Sequence, residues 1–263
     1  MSIVCQISNS PTDKLRDYLS GLQLDQLPNF QEAEAKGYKL IFVAEEYSLS
    51  LLSTELGEKS PLSIDLVGGA MGHRRAFSGG KKQDICRAVG LNRTKNLSLA
   101  DATTGLGRDA FVLACQGAEV TGYEINSILY SMLSWARAEA KRISLEKGVT
   151  ELTAVLERLD FVQSDSCLQL KPSSFDVVYL DPMFPQREKS AKVKKEMQIL
   201  QQLLPDAASD PDVLFQSCWA AAKYRVVIKR PIKAPLFIKQ KPTHQICGKT
   251  VRYDVYVKAA LPI

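Results

Sequence analysis

Asp181, Pro182 and Phe184 are the residues whose types and spacing most directly offer chemistry. They stand as Asp181-Pro182-Met183-Phe184 and close an apolar run, Phe175-Asp176-Val177-Val178-Tyr179-Leu180. A carboxylate, a proline and an aromatic in that order suit the gripping of a planar amino group. Asp181 accepts hydrogen bonds from an exocyclic NH2, and so does a backbone carbonyl beside it. Pro182 has a fixed φ and no N–H, so it stiffens the turn. Phe184 offers a face on which a base stacks. The same residues also fit a plain strand end with a proline turn, so the reading needs a second motif.

That motif lies upstream. Leu97-Ser98-Leu99-Ala100-Asp101 runs into Ala102-Thr103-Thr104-Gly105-Leu106-Gly107-Arg108-Asp109 and then into an apolar helix over 110–115. Gly105 and Gly107 let the backbone turn sharply and approach a ligand closely. The helix start behind them presents free N–H groups. A further apolar segment, 118–123, ends at Glu124, the place where an acid holds a ribose diol in Rossmann-type folds. The spacing Gly105-x-Gly107-x-x-Ala110 equally fits a dinucleotide site, and the acids decide between the two. A pyrophosphate needs positive potential at the helix start, whereas Asp101 and Asp109 put negative charge on both sides of the turn. S-adenosylmethionine carries a cationic amine, a sulfonium and a carboxylate, and no phosphate. Asp101 suits its cationic part, and Arg108 or backbone N–H groups suit its carboxylate. The pocket is therefore read as one for S-adenosylmethionine. Asp165, at the end of a segment over 156–164, falls at the same sheet edge and is a candidate for the adenine amino group.

Charge points to the partner. Residues 186–258 hold 15 Lys+Arg against 6 Asp+Glu, so the basic excess of a chain with net charge +5 lies after the Asp181 motif. A substrate with phosphates approaching over that loop accounts for the placement. Upstream, 68–82 combines glycines with His73, Arg74, Arg75, Lys81 and Lys82, a basic loop suited to tracking phosphates. The expected RNA-binding set is His73, Arg74, Arg75, Lys189, Lys194, Lys195, Lys229 and Arg230. No apolar run approaches the ~18 residues of a membrane span, and Met1 to Gln6 shows no basic segment leading into a long apolar core. Cysteines 5, 86, 115, 167, 218 and 247 are scattered, as free thiols of a reducing cytoplasm are. With two histidines and no Cys/His cluster, no metal site is expected.

The elements that must position these residues alternate from residue 97 onward. Strands are expected near 97–101, 118–123, 156–164, 175–180 and 224–231, with helices over 110–115, 127–147, 189–204 and 210–222 between them. A final hairpin, 243–247 and 250–257, turns at Gly248-Lys249. Seven strands with a terminal hairpin predict an α/β fold of the class I S-adenosylmethionine-dependent methyltransferase type, Rossmann-like, with a mostly parallel seven-stranded sheet. The N-terminal part reads as a small α+β extension, with strands near 3–7, 38–44 and 62–66 and a helix over 82–89 stopped by Gly90. The expected division is 1–80, the N-terminal subdomain with the basic loop, and 81–263, the methyltransferase domain.

With these residues in place the chain resembles the bacterial ribosomal RNA small subunit methyltransferase J family over about 64–257. The likeness rests on Asp65-Leu66-Val67-Gly68-Gly69-Ala70-Met71-Gly72-His73-Arg74-Arg75, on the stretch from Asp101 to Ala114, on Val178-Tyr179-Leu180-Asp181-Pro182-Met183-Phe184-Pro185, on Lys189-Ser190-Ala191 and Val193-Lys194-Lys195-Glu196-Met197, and on Lys229-Arg230-Pro231. The resemblance implies methyl transfer from S-adenosylmethionine to the N2 amine of guanosine 1516 of 16S rRNA, counted on the usual bacterial reference. It implies cofactor contacts at Arg108, Asp109, Glu124, Ile125, Asp165, Ser166 and Asp181. Relatives often carry a basic residue after the acid; Ile125 here leaves a backbone or apolar contact to adenine. Two other readings stay open on the residues alone. One is an amino-methyltransferase acting on another base or on DNA, and the other is a non-catalytic RNA-binding module that keeps the cofactor pocket.

Overall fold

A computed structural model describes residues 4–9, 11–58, 61–68, 83–182, 195–204 and 210–262. They fall into two compact units. The first takes the chain up to Asp65, Ser127–Glu139 and the helix Lys195–Leu203, and the second takes the remainder.

The first unit has a five-stranded sheet in the order β2-β1-β3-β4-β5, from β1 (Val4–Asn9), β2 (Asp25–Gln26), β3 (Leu40–Glu45), β4 (Ser48–Ser53) and β5 (Leu62–Ser63). β1 is parallel to β2 and β3, and β3 and β4 form an antiparallel hairpin. The helix Asp13–Leu19 starts at Thr12, whose side chain accepts a hydrogen bond from the Leu15 N–H. Trp135 donates its indole N–H to the Tyr47 carbonyl at 3.0 Å and lies beside the Tyr18 ring. β4 escapes the sequence reading because its inward positions, Leu49, Leu51 and Ser53, alternate with serines and a leucine rather than with charged residues. The strand expected over 62–66 shrinks to Leu62–Ser63.

The second unit carries the expected seven-stranded sheet, in the order β11-β12-β10-β9-β6-β7-β8. Its strands are β6 (Ser98–Asp101), β7 (Glu119–Glu124), β8 (Leu159–Gln163), β9 (Phe175–Leu180), β10 (Ala222–Pro231), β11 (His244–Cys247) and β12 (Val251–Val257). β10, β9, β6, β7 and β8 are parallel; β12 runs antiparallel to β10 and to β11. The middle of the sheet is covered on both faces, so Val177 to Leu180 and Val226 to Ile228 are fully buried in unbroken apolar runs. Side-chain alternation sorts these runs. Val178, Leu180, Val226 and Ile228 pack with Leu214, Phe215 and Cys218 of the helix Pro211–Ala221, and Tyr256 meets Phe215 edge to face. Each such buried side chain contributes about 1.5–3 kcal/mol. Tyr179 and Lys229, offset by one, face the other side.

The helix Pro211–Ala221 starts as expected, with Asp210 accepting hydrogen bonds from Asp212 and Val213. The strand expected from 156 instead begins at Leu159, because Leu152, Val155 and Leu156 form a helical stripe within Thr150–Glu157. After β10 the chain is held by Arg252 of β12. Its guanidinium donates to the carbonyls of Pro231, Ile232, Ala234 and Pro235 and to both oxygens of the fully buried Asp254. Among the described residues no helix is long and apolar enough to cross a membrane, and no group of acids, histidines and cysteines could hold a metal ion.

Candidate active site

In an open α/β sheet ligands bind beyond the carboxyl ends of the strands, where the strand order reverses. Here the order reverses between β6 and β9. Asp101 is the last residue of β6, Glu124 the last of β7, and Asp181 follows the last residue of β9. Asp165 follows β8 by two residues and caps the short helix Ser166–Gln169, accepting from the Cys167 N–H at 2.8 Å; Ser166 is buried. Ile125 is exposed directly after Glu124.

The glycine turn is held by its own side chains. Thr104 donates its hydroxyl to the Asp101 carbonyl at 3.0 Å, and its N–H to the Tyr123 carbonyl. Gly105 and Gly107 both take positive φ, +55 and +68°, and Gly107 opens the helix Arg108–Cys115. Gly122 of β7 lies so close beneath this turn that an added Cβ would sit 2.6 Å from Thr104 Oγ1, so only glycine fits. Glu124 staples the turn to β7. One carboxylate oxygen accepts from the Gly105 N–H at 3.0 Å and the other from the Asn126 N–H at 2.8 Å. Burial pushes the Glu124 carboxyl above its ordinary range, and these N–H groups oppose the rise.

Asp101 is buried and accepts from the Thr103 N–H at 3.2 Å. Burial, reinforced by the nearby Asp109 carboxylate, holds its carboxyl well above the usual range. A buried acid that resists ionisation among other acids favours a cation beside it over an anion. The sign gives a prediction. A carboxyl raised in the folded state weakens folding as pH climbs above the unfolded value and through the folded one. Asp101→Asn is therefore expected to melt a few degrees higher than the wild type at neutral pH without ligand, and the gap is expected to close toward acid pH. Equal melting curves across the range would show that Asp101 bears no such burden.

Asp181 is reached from two sides. Its N–H donates to Thr103 Oγ1 at 2.7 Å, tying the end of β9 to the glycine turn. The β9–β10 register pairs Leu180 with Ile228, so the next residues, Asp181 and Lys229, are neighbours on one face. Lys229 Nζ donates to Asp181 Oδ2 at 2.8 Å and to Asp109 Oδ2 at 2.6 Å, and the Tyr179 hydroxyl donates to that same Asp109 oxygen at 2.6 Å. Burial raises the Asp181 carboxyl despite Lys229, although 41% of its side-chain surface stays accessible and water on that side tempers the effect. Burial works against the Lys229 ammonium, but Asp109 and Asp181 outweigh it and hold it above the ordinary lysine range. Burial and the same two acids keep the Tyr179 phenol protonated.

Two expectations change. Lys229 and Arg230 were expected on the phosphate-binding face. Lys229 is instead paired with two carboxylates, and Arg230 is buried, donating twice to the Pro235 carbonyl. Lys195 opens a helix of the first unit and is exposed. Phe184, His73, Arg74, Arg75, Lys189 and Lys194 lie outside the described residues, as does the basic loop beyond Gly68. Asp101, Gly105, Gly107, Arg108, Asp109, Glu124, Ile125, Asp165, Ser166 and Asp181 all fall at the carboxyl edge of the one sheet. Tyr179, Thr103 and Thr104 join them unannounced. The even spacing of Tyr179 and Asp181 along β9 was the available signal.

A parallel sheet with a reversed terminal hairpin, and a glycine turn ringed by acids where a pyrophosphate would need positive charge, define the class: an S-adenosylmethionine-dependent methyltransferase. Comparisons with known proteins agree. Residues 23–258 match the family model described as "Putative SAM-dependent methyltransferase". A crystal structure of a SAM-dependent methyltransferase from Neisseria gonorrhoeae superposes with a TM-score of 0.73 at 29% identity, covering 98% of this chain and 97% of that one. The ribosomal RNA small subunit methyltransferase J of Saccharophagus degradans is 43% identical over 232 residues, 86% of this chain and 85% of that protein. Its namesake in Marinobacter nauticus is 40% identical over 248 residues, 94% of this chain and 88% of that protein. The chain belongs to the ribosomal RNA small subunit methyltransferase J family.

Proposed function

We propose that this protein methylates the N2 amine of a guanosine in 16S rRNA, guanosine 1516 in the usual bacterial count, and does so in the cytoplasm. The observation that carries the reading is the Asp181 carboxylate beyond β9. One of its oxygens is held by Lys229, and among the described residues the other takes no partner. The guanine N2 lone pair is delocalised into the ring, which makes the amine a poor nucleophile. A carboxylate that accepts its N–H favours a pyramidal nitrogen with the lone pair free. S-adenosylmethionine supplies the methyl: as the N–C bond forms the S–C bond breaks, and sulfur keeps the electron pair. Asp181 Oδ1 takes the proton the nitrogen gives up. Most of the rate gain then comes from positioning and preorganised charge. Asp101, Arg108 and Asp109 flank the methionine end, with the backbone of Gly105 and Gly107 beneath it. Glu124 holds the ribose, and Ile125, Asp165 and Ser166 surround the adenine. Phe184 stacks on the target base, and His73, Arg74, Arg75, Lys189, Lys194 and Lys195 bind RNA phosphates.

The test is transfer of tritiated methyl to naked 16S rRNA, assembled small subunits and DNA, with the modified nucleoside identified by mass spectrometry. N2-methylguanosine in the RNA or the subunit is expected. Label in adenine, cytosine or DNA, or cofactor binding with no transfer, overturns the reading.

Glu124 supplies a prediction of its own. Glu124→Ala is expected to weaken S-adenosylmethionine binding by about ten- to hundredfold, because hydrogen bonds to a charged group are worth ~1.5–3 kcal/mol. Glu124→Gln keeps an acceptor for one of the two staple N–H groups and should lose less. Calorimetry measures both, and an unchanged Kd in the alanine variant moves the ribose elsewhere.

A further inference from the structure

The chain Tyr179–Asp109–Lys229–Asp181 joins residues from β9, the helix Arg108–Cys115, β10 and the turn after β9, and one ammonium sits at its centre. We propose that Lys229 is a positioning residue for methyl transfer: anchored on Asp109, it holds Asp181 by Oδ2 and so presents Oδ1 to the guanine amine. The inference rests on the guanine-amine reading above.

The geometry gives three reasons. First, Asp181 stands past the end of its strand with an accessible side chain, so nothing in the strand ladder fixes its carboxylate plane; the contact at 2.8 Å does. Second, Lys229 is itself fixed. Its partner Asp109 is the second residue of a helix and is held in turn by the buried Tyr179 hydroxyl. Third, Lys229 governs charge. Among the described residues, the groups that act on Asp181 or lie in its cluster are Asp101 of β6, Asp109 of the helix, Tyr179 of β9, Lys229 and Arg230 of β10, and Tyr253 of β12. Of these only Lys229 and Arg230 are cations, and Arg230 spends two of its N–H donors on the Pro235 carbonyl.

The proton step fits this arrangement. The amine nitrogen gains the methyl and passes one proton to Asp181 Oδ1, leaving a neutral N2-methylamine and a protonated carboxyl that then releases its proton to water. Lys229 stays charged throughout, because Asp109 supports its ammonium even while Asp181 carries the proton. Asp181 must be ionised to accept, so activity falls as pH drops through its dissociation. Without the ammonium, only Arg230 remains to oppose burial and Asp109, and that fall moves to higher pH.

The experiment compares the wild type with Lys229→Met, Lys229→Arg and Tyr179→Phe. Single-turnover transfer to assembled small subunits is followed across the pH range at saturating S-adenosylmethionine, and cofactor binding is measured by calorimetry. Carbon-13 NMR follows the aspartate carboxyls of the free proteins. Lys229→Met is expected to slow transfer by about a hundredfold, the cost of a misplaced reacting group. Its acid limb should move to higher pH, and because cofactor is saturating, a change in affinity through Asp109 does not enter the rate. Lys229→Arg should return the acid limb but only part of the rate, since a planar guanidinium meets two carboxylates differently. Tyr179→Phe should lose less than Lys229→Met, because Asp109 keeps its lysine. A Lys229→Met variant with the wild-type rate and acid limb overturns the proposal. So does a slow variant with an unmoved limb that arginine does not improve, which is a structural defect only. If Lys229→Met does not fold, wild-type rates and limbs in both other variants overturn it. If the wild type itself transfers no methyl to small subunits or to naked 16S rRNA, the guanine-amine reading fails. The NMR titration then still judges the clamp, and an Asp181 carboxyl that titrates alike with and without Lys229 overturns it.

Discussion

Asp181→Ala is expected to lower single-turnover methyl transfer by about 10²–10⁴-fold, the range associated with a positioned proton acceptor, while the protein stays folded. Among the described residues the side chain caps no helix. Its removal leaves Lys229 paired with Asp109, so no buried ammonium is stranded. The backbone contact from the residue-181 N–H to Thr103 also survives the substitution. The loss should fall mainly on the turnover rate, because the proposed contact strengthens as the nitrogen becomes pyramidal, with a smaller loss of cofactor affinity matching the contact the resemblance implies at Asp181. Transfer at saturating cofactor and RNA, with circular dichroism as the fold control, measures it. A variant with near-wild-type turnover would leave the amine grip without its principal residue.

Arg252→Met is the second large effect, and it falls on stability. Arg252 and Asp254 are an ion pair with side chains 7% and 0% exposed, so solvent screening is slight. Removing the cation strands a buried carboxylate, which costs about 3–5 kcal/mol. Gln245 remains to donate to Asp254 Oδ1, but the carbonyls of Ile232 and Ala234 lose their guanidinium donor. Urea unfolding of the two proteins measures the difference. Destabilisation below about 1 kcal/mol, the scale of an exposed pair, would mean that the loop after β10 supports itself. Because that loop follows Lys229 and Arg230 directly, the variant should also transfer methyl more slowly at temperatures where it remains folded.

The sheet and the acids at its carboxyl edge were legible because each depends on local pattern. Buried parallel strands are unbroken apolar runs, and an acid at a strand end announces itself at its own position, as Asp101, Glu124 and Asp181 do. Lys229 was not legible in the same way. A lysine beside an arginine in a basic region looks like a surface charge, and its partners lie 48 and 120 residues away along the chain. Only the β9–β10 register, which sets Leu180 opposite Ile228, brings lysine and aspartate together. Arg252 and Asp254 hid for a related reason. Alternating charges on an edge hairpin suggest a wet face, whereas the loop after β10 folds over them and supplies carbonyls. The strand expected at 156 failed on a boundary, where a helical stripe abuts a strand without a glycine or proline between them.

The sharing of one ammonium by two carboxylates constrains how this protein can evolve. A change at Asp109 hands the whole of Lys229 to Asp181, a change at Asp181 hands it to Asp109, and a change at Lys229 leaves both acids without it. A single change at position 109, 181 or 229 therefore unbalances the charge that the other two share. An engineer who grafts the Asp-Pro grip onto another sheet must carry the lysine and its second acid along with it.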